Sequence, residues 1–364
     1  MNADGGGLRI REIHARPVVA PLPTPIRTAA GSVDQAPLLL IDLVTDVGIV
    51  GRSYLFGYHV FTLIPLRALV HALGAMIVGD PVAPMDFGRK LRARMTLFGA
   101  RGLQGLALSG IDMAAWDAVG IAAGVPLATL LGGRPRPLAA YNSLGMIPPE
   151  EVPDAVAQTL HGGFRGLKIK IGWPSLERDL AVVRAARRAL PDDVALMVDY
   201  NQSLSTNEAV RRGRALDAEG VTWIEEPVPA DDVWGAAEVA ELITTPVQLG
   251  ENFGGPLDMA HALRARACDL VMPDPQQIGG VTGWLRAAAL AEVAGVPCSS
   301  HIFIETCAHL LAVTPTCQWI EYLDVAAPVL AEPLQPVNGT LTAPARPGLG
   351  LSWNEVALKR YTVA

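Results

Sequence analysis

Carboxylates recur through the middle of this chain at near-constant intervals. Asp199 to Glu225 is 26 residues and Glu225 to Glu251 another 26, and the beat continues to Asp274 after 23 and His301 after 27. Each residue closes a short apolar, β-rich run: 194–199, 221–225, 247–251, 270–274 and 296–301. A single carboxylate at a strand end is ordinarily solvated. Three on consecutive strand ends repel one another unless a cation neutralises them, and hard oxygen ligands suit Mg2+, which keeps positions open for substrate oxygens. Run 166–170 carries Lys168 and Lys170, two apart on a strand and therefore on one face. Paired positive charges beside a metal disfavour protonation, so one lysine can serve as a base near neutral pH. On neighbouring strand ends, Asp274 can hold the His301 imidazole in one tautomer and raise its basicity. Glu321, closing run 318–321, is a candidate acid or hydrogen-bond donor.

These side chains meet only if the runs are parallel strands of a closed sheet. Eight runs are present, counting 138–143 before the lysines, and helix signals separate them. Examples are Ser175 ahead of an apolar-periodic stretch, and the segment from Asn207 to Leu216 stopped by Gly220. Apolar strands alternating with helices imply an α/β fold with a parallel sheet. Polar residues at every strand end favour a closed TIM-type barrel, where those ends converge on one mouth, over an open sheet that would spread them out. Strands two and seven then lie across the mouth from each other, so the lysine and histidine bases flank whatever sits on the metal. Two bases, a metal and an acid together suit proton removal next to a carboxylate, with the resulting enediolate stabilised.

Residues 1–135 differ. Strand-like stretches 8–22 and 36–43, a glycine-punctuated hairpin at Gly48–Gly51 and helices through Leu131 indicate an α+β capping domain. The Gly- and Pro-rich stretch 132–137 is the expected linker to a barrel domain at 136–324, and the tail, 325–364, is expected to pack back on the first domain.

Composition narrows the possible partners. Half the 364 residues are hydrophobic, 18% are charged and the net charge is −7, which excludes a disordered chain and leaves no basic face for nucleic acid. The longest apolar stretch, 105–131, is interrupted by Asp112 and Asp117, so no membrane span is expected. The first seven residues lack a secretory pattern, and a cytoplasmic location is expected. Cys268, Cys298, Cys307 and Cys317 have no CxxC spacing and are expected as buried thiols.

The quoted sites sit in longer motifs: Lys168-Ile169-Lys170, Val198-Asp199-Tyr200-Asn201-Gln202, Trp223-Ile224-Glu225-Glu226-Pro227, Gly250-Glu251-Asn252, Pro273-Asp274 with Ile278-Gly279-Gly280, Ser299-Ser300-His301 and Trp319-Ile320-Glu321. Together with segment 110–117 they resemble the mandelate racemase group of the enolase superfamily along the whole chain. The resemblance implies a capping domain over a modified (β/α)7β barrel, Mg2+ on Asp199, Glu225 and Glu251, a small-molecule carboxylate substrate, and a homo-oligomer. It implies 1,1-proton transfer with Lys170 as base for the S enantiomer and His301, held by Asp274, for the R enantiomer. Lys168 would bind the substrate carboxylate and lower the pKa of Lys170, and Glu321 would hydrogen-bond the developing enediolate. Ser143 and Asn201 match positions near metal and substrate. Segment 25–33 matches a flap whose Ile26, Ala30 and Val33 offer an apolar lining, with Arg27 as its polar exception, and Tyr58 and Leu323 match contacts to the distal group. The chain departs from the family's namesake at Leu144-Gly145, where that protein has histidine and serine, and at Gln277, where it has lysine.

The leading expectation is a racemase for a 2-hydroxy carboxylate, mandelate or a close relative. The alternative is an acid-sugar dehydratase using the same enediolate, with His301 as the acid that expels a 3-hydroxyl. A catalytically silent ligand-binding barrel is the third, and it sits poorly with a complete set of bases and ligands.

Overall fold

The computed structural model describes residues 8–29 and 31–363. It begins with a three-stranded antiparallel sheet, β1 (Ile10–Thr28), β2 (Gly31–Thr45) and β3 (Val50–Phe56), followed by α1 (Leu63–Ala75), α2 (Pro84–Arg94), α3 (Leu103–Ala123) and α4 (Leu127–Leu130). β1 and β2 run well past the stretches expected from their apolar alternation. Their paired ends, with Ile26 opposite Val33 and Thr28 opposite Gly31, make the flap a hairpin tip rather than a loop. Ala30 lies outside the described residues.

α3 is long and apolar enough by composition to cross a membrane, yet 72% of its most apolar window is buried in the fold. The two aspartates that interrupt its sequence fasten it to the rest of the molecule. Asp112 accepts hydrogen bonds from the Thr282 amide at 3.0 Å and hydroxyl at 2.5 Å, and Asp117 accepts from the amides of Arg52 and Leu349. Both carboxylates are buried, and burial lifts them to about 6 and about 7.

The barrel follows in strict alternation: β4 (Leu138–Leu144), α5 (Val152–His161), β5 (Gly166–Lys170), α6 (Leu176–Ala189), β6 (Ala195–Asp199), α7 (Thr206–Leu216), β7 (Trp223–Glu225), α8 (Val233–Leu242), β8 (Val247–Leu249), α9 (Pro256–Ala265), β9 (Leu270–Val271), α10 (Pro275–Ile278), α11 (Gly280–Ala294), α12 (Ile304–Ala312) and β10 (Ile320–Tyr322). Neighbouring strands pair in parallel from β4 to β9, and β10 returns to β4. The expected seventh strand, 296–301, is reduced to a single residue: Cys298 bridges Val271 on one side and Cys317 on the other and closes the ring. This is the modified (β/α)7β barrel. Two further strands stop short of the polar residues that close their apolar runs. Gly250, at φ +146°, ends β8 before Glu251, and Pro273 lacks the N–H that would continue β9 to Asp274. Asp274 instead caps α10, accepting from the amides of Gln276 and Gln277.

Inside the barrel Tyr141, Met197, Trp223 and Leu270 form a buried layer beneath the mouth. The tail reaches both domains. β11 (Thr340–Leu341) pairs with β4, while α13 (Glu355–Tyr361) ends beside β1, where the Val363 amide donates to Pro17 at 3.0 Å. Cys268, Cys298 and Cys307 are buried thiols and Cys317 is partly exposed.

Candidate active site

Strand register builds the centre of the site. Lys170, Asp199, Glu225 and Gln248 are consecutive partners across β5, β6, β7 and β8, and in-register residues of parallel strands present side chains to the same face. Glu251 joins them from beyond the end of β8. One carboxylate oxygen each from Asp199, Glu225 and Glu251 lies within 4.8 Å of the others, and all three residues are buried. Asn201, expected near substrate, turns its amide onto this group: its Nδ2 and main-chain N–H both donate to Asp199.

Two ammonium groups answer the negative charge. Lys170 Nζ lies 2.5 Å from Asp199. Lys168 pairs with Glu225 and lies 2.8 Å from Glu321. Burial alone would push both lysines toward the neutral amine, but the facing carboxylates win and hold both above the ordinary lysine range. Burial likewise raises Glu321, and Lys168 with His301 outweighs it, bringing that carboxyl down to about 2. Glu225 goes the other way, to about 7, because burial and the crowding of Asp199 and Glu251 exceed the pull of Lys168.

The seventh-strand segment brings in the second base. His301 Nδ1 is 2.7 Å from Asp274, and Nε2 faces Glu251 at 3.4 Å. Burial works against the imidazolium, yet Glu251 and Asp274 raise it to about 10. Ile302 and Phe303 then adopt positive φ, +33° and +47°, conformations that a β-branched or bulky residue holds only under constraint. The constraint is visible: the turn aims the Ile302 amide at Glu321, 2.9 Å away.

The outer residues fall around this centre. Ser143, in register with Lys168, is buried with its hydroxyl unpartnered, and Leu323, half-buried, stands two residues beyond Glu321. Tyr58 is tied to the Asp274 loop through Gln276, whose Nε2 lies 3.5 Å from the phenol oxygen while its Oε1 accepts from the Phe56 amide. Ile26 and Val33 are half-buried on the flap hairpin. That hairpin rests on the barrel: the Met146 amide donates to the Arg27 carbonyl at 2.7 Å, and Gly145 lies so close that a Cβ there would stand 2.6 Å from the Arg27 nitrogen.

Three contributors are absent from the sequence-derived set. Trp223 and Gln248 both donate to Glu225, and Gln276 connects Tyr58 to the Asp274 loop. A polar Gln248 inside an apolar three-residue strand, and Trp223 two positions before Glu225, are the signals that sequence spacing offered.

The donor set fits a hard divalent cation. The three carboxylates supply only oxygen, and Glu251 Oε2 is buried without a hydrogen bond. Residues 10–132 match the family model for the mandelate racemase / muconate lactonizing enzyme N-terminal domain, and residues 151–357 match the enolase C-terminal domain-like model. The chain belongs to this family. A solved enolase from Bradyrhizobium, complexed with magnesium and mandelic acid, superposes with a TM-score of 0.96 at 43% identity, covering 99% of this chain and 100% of that one. The D-galactarolactone cycloisomerase of Agrobacterium fabrum is 32% identical over 93% of this chain and 95% of its own length. The L-talarate/galactarate dehydratase of Salmonella typhimurium is 34% identical over 72% of this chain and 67% of its own length. Family membership makes magnesium the cofactor, with Asp199, Glu225 and Glu251 to hold it.

Proposed function

We propose that this family member is a racemase for 2-hydroxy carboxylates bearing an apolar 2-substituent, mandelate or a close relative, acting by 1,1-proton transfer. The observation that carries this is the bracketing of the triad: Lys170 abuts Asp199 on one flank and His301 abuts Glu251 on the other. A substrate carbon between them meets a base on each face. The bound divalent ion supplies charge neutralisation and polarisation of a substrate oxygen. Asp199 is the main charge that holds the Lys170 proton, while burial and Lys168 favour the neutral amine, so a cation held on Asp199 would leave Lys170 free to act as a base. Asp274 holds the imidazole by Nδ1 and leaves Nε2 to take or return a proton at the opposite face. Lys168 is the natural partner for the substrate carboxylate. Glu321, beside Lys168, is the group placed to hydrogen-bond the developing oxyanion once it carries a proton.

The half-buried Ile26 and Val33 support an apolar substituent, as does the mandelic acid bound by the Bradyrhizobium relative. A dehydratase outcome on an acid sugar is the second reading, favoured by the Salmonella relative's activity. The discriminating experiment follows the α-proton of each mandelate enantiomer by proton NMR in D2O with Mg2+. Lys170→Ala should abolish exchange from the S enantiomer and His301→Ala from the R enantiomer. Variants that each still exchange both enantiomers would sink the two-base assignment. Release of a 2-keto acid from sugar acids, without exchange of mandelate, would establish the dehydratase.

A further inference from the structure

Glu225 is the middle carboxylate of the triad, and its two oxygens are treated differently. Oε1 takes the Lys168 ammonium. Oε2 takes two uncharged donors, Trp223 Nε1 at 3.1 Å and Gln248 Nε2 at 3.2 Å. Both donor residues are 0% exposed. Trp223 reaches the oxygen from two residues earlier on β7, and Gln248 reaches it from the in-register position on β8. Two donors occupy both lone-pair positions of Oε2, which leaves Oε1 to face a cation once Lys168 yields it.

The Gln248 amide reveals what it is kept for. Its orientation is dictated by the carboxylate, which accepts only N–H, and the same Nε2 lies 3.1 Å from the Met272 sulfur. Its own Oε1 is then buried with no partner. A residue retained to fill the barrel would be apolar, because an unpaired buried carbonyl is costly. The donors also add no charge, so the triad keeps its full attraction for a divalent ion.

We propose that Trp223 and Gln248 are positioning residues that lock Glu225 into one-oxygen ligation and so set both the affinity and the magnesium preference of the site. The proposal rests on the triad being the magnesium site. Magnesium demands compact octahedral ligation, whereas calcium accepts carboxylates through both oxygens, so freeing Oε2 should relax the choice between them.

The test is calorimetric titration of Mg2+ and of Ca2+ into metal-free wild type, Gln248→Met and Trp223→Phe, each accompanied by a metal-free melt. Gln248→Met keeps length and volume while deleting the donor, and it carries the test if Trp223→Phe fails to fold. The expected result is a roughly 10–100-fold weaker Mg2+ affinity, with the Mg2+-to-Ca2+ affinity ratio falling. A packing role alone would lower the melting temperature and leave that ratio unmoved. Wild-type affinity and ratio in Gln248→Met would overturn the positioning role. A wild type that binds no Mg2+ would overturn the metal assignment itself, a distinguishable failure.

Discussion

Replacing Lys168 by Met removes the charge on which two buried carboxylates depend. Glu321 is held at about 2 where an ordinary glutamate titrates at 4.5. Each unit of that gap is about 1.4 kcal/mol, so the net stabilisation of the ionised carboxyl against its burial, with Lys168 the largest favourable contributor ahead of His301, is ~3 kcal/mol at neutral pH. That lies at the low end of the ~3–5 kcal/mol expected when one partner of a buried pair is deleted. Lys168 and Glu321 are 0% and 1% exposed, so solvent screening offers no discount. The folded-state pKa of Glu321 is depressed, so this stability is fully present above the unfolded value and is lost as pH falls toward 2. The assay is thermal unfolding of the metal-free proteins from pH 7 down to pH 3. Lys168→Met should melt roughly 4 °C below wild type at pH 7, because unfolding 364 residues carries an entropy of ~0.8 kcal/mol per kelvin, and the gap should narrow to about half by pH 3, since Glu321 titrates only near about 2. Saturating Mg2+ should stabilise the variant at least as much as wild type, because the triad then has a second source of positive charge and ligand binding adds directly to folded-state stability. A variant that melts within about 1 °C of wild type at pH 7 without metal would refute the electrostatic account of this centre.

Three other perturbations probe separate parts of the structure. Asp274→Asn deletes the charge beside His301 Nδ1, so the metal-free imidazole, raised to about 10 in the wild type, should titrate lower by NMR, and exchange from the R enantiomer should fall at least 100-fold; an unchanged titration would remove Asp274 from its proposed role. Gly145→Ala puts a Cβ 2.6 Å from the Arg27 nitrogen, so the flap should fail to seat, with KM rising, proteolysis at Arg27 accelerating and the melting temperature nearly unchanged; equal proteolysis rates would count against the seat. Asp112→Ala strands two Thr282 donors at the joint between cap and barrel and should cost ~2–3 kcal/mol in denaturant unfolding, without altering Mg2+ affinity.

Much of the barrel was legible in one dimension because parallel strand and helix units have a regular length, and residues at strand ends inherit that period. The lysine pair was legible for an equally local reason, since alternate residues of a strand face one way. The seventh strand misled. Its apolar run predicts a full strand, but Pro297 has no N–H to donate, and the backbone past His301 turns through positive φ to reach Glu321. Local propensity registers neither demand in full, because the second comes from a residue 19 positions away.

By itself the sequence determined the alternation of strands and helices, the carboxylates and bases at strand ends, and their convergence on one mouth. Tertiary structure alone decided which oxygen each donor would meet. Gln248 reads as an interruption in a strand until register places it opposite Glu225. Asp112 and Asp117 read as breaks in an apolar helix until packing sets them against Thr282 and Leu349. Hydrogen-bond partners are chosen across the fold at distances of a few ångströms, and spacing along a chain carries that information only where both partners lie on regular elements of the same sheet.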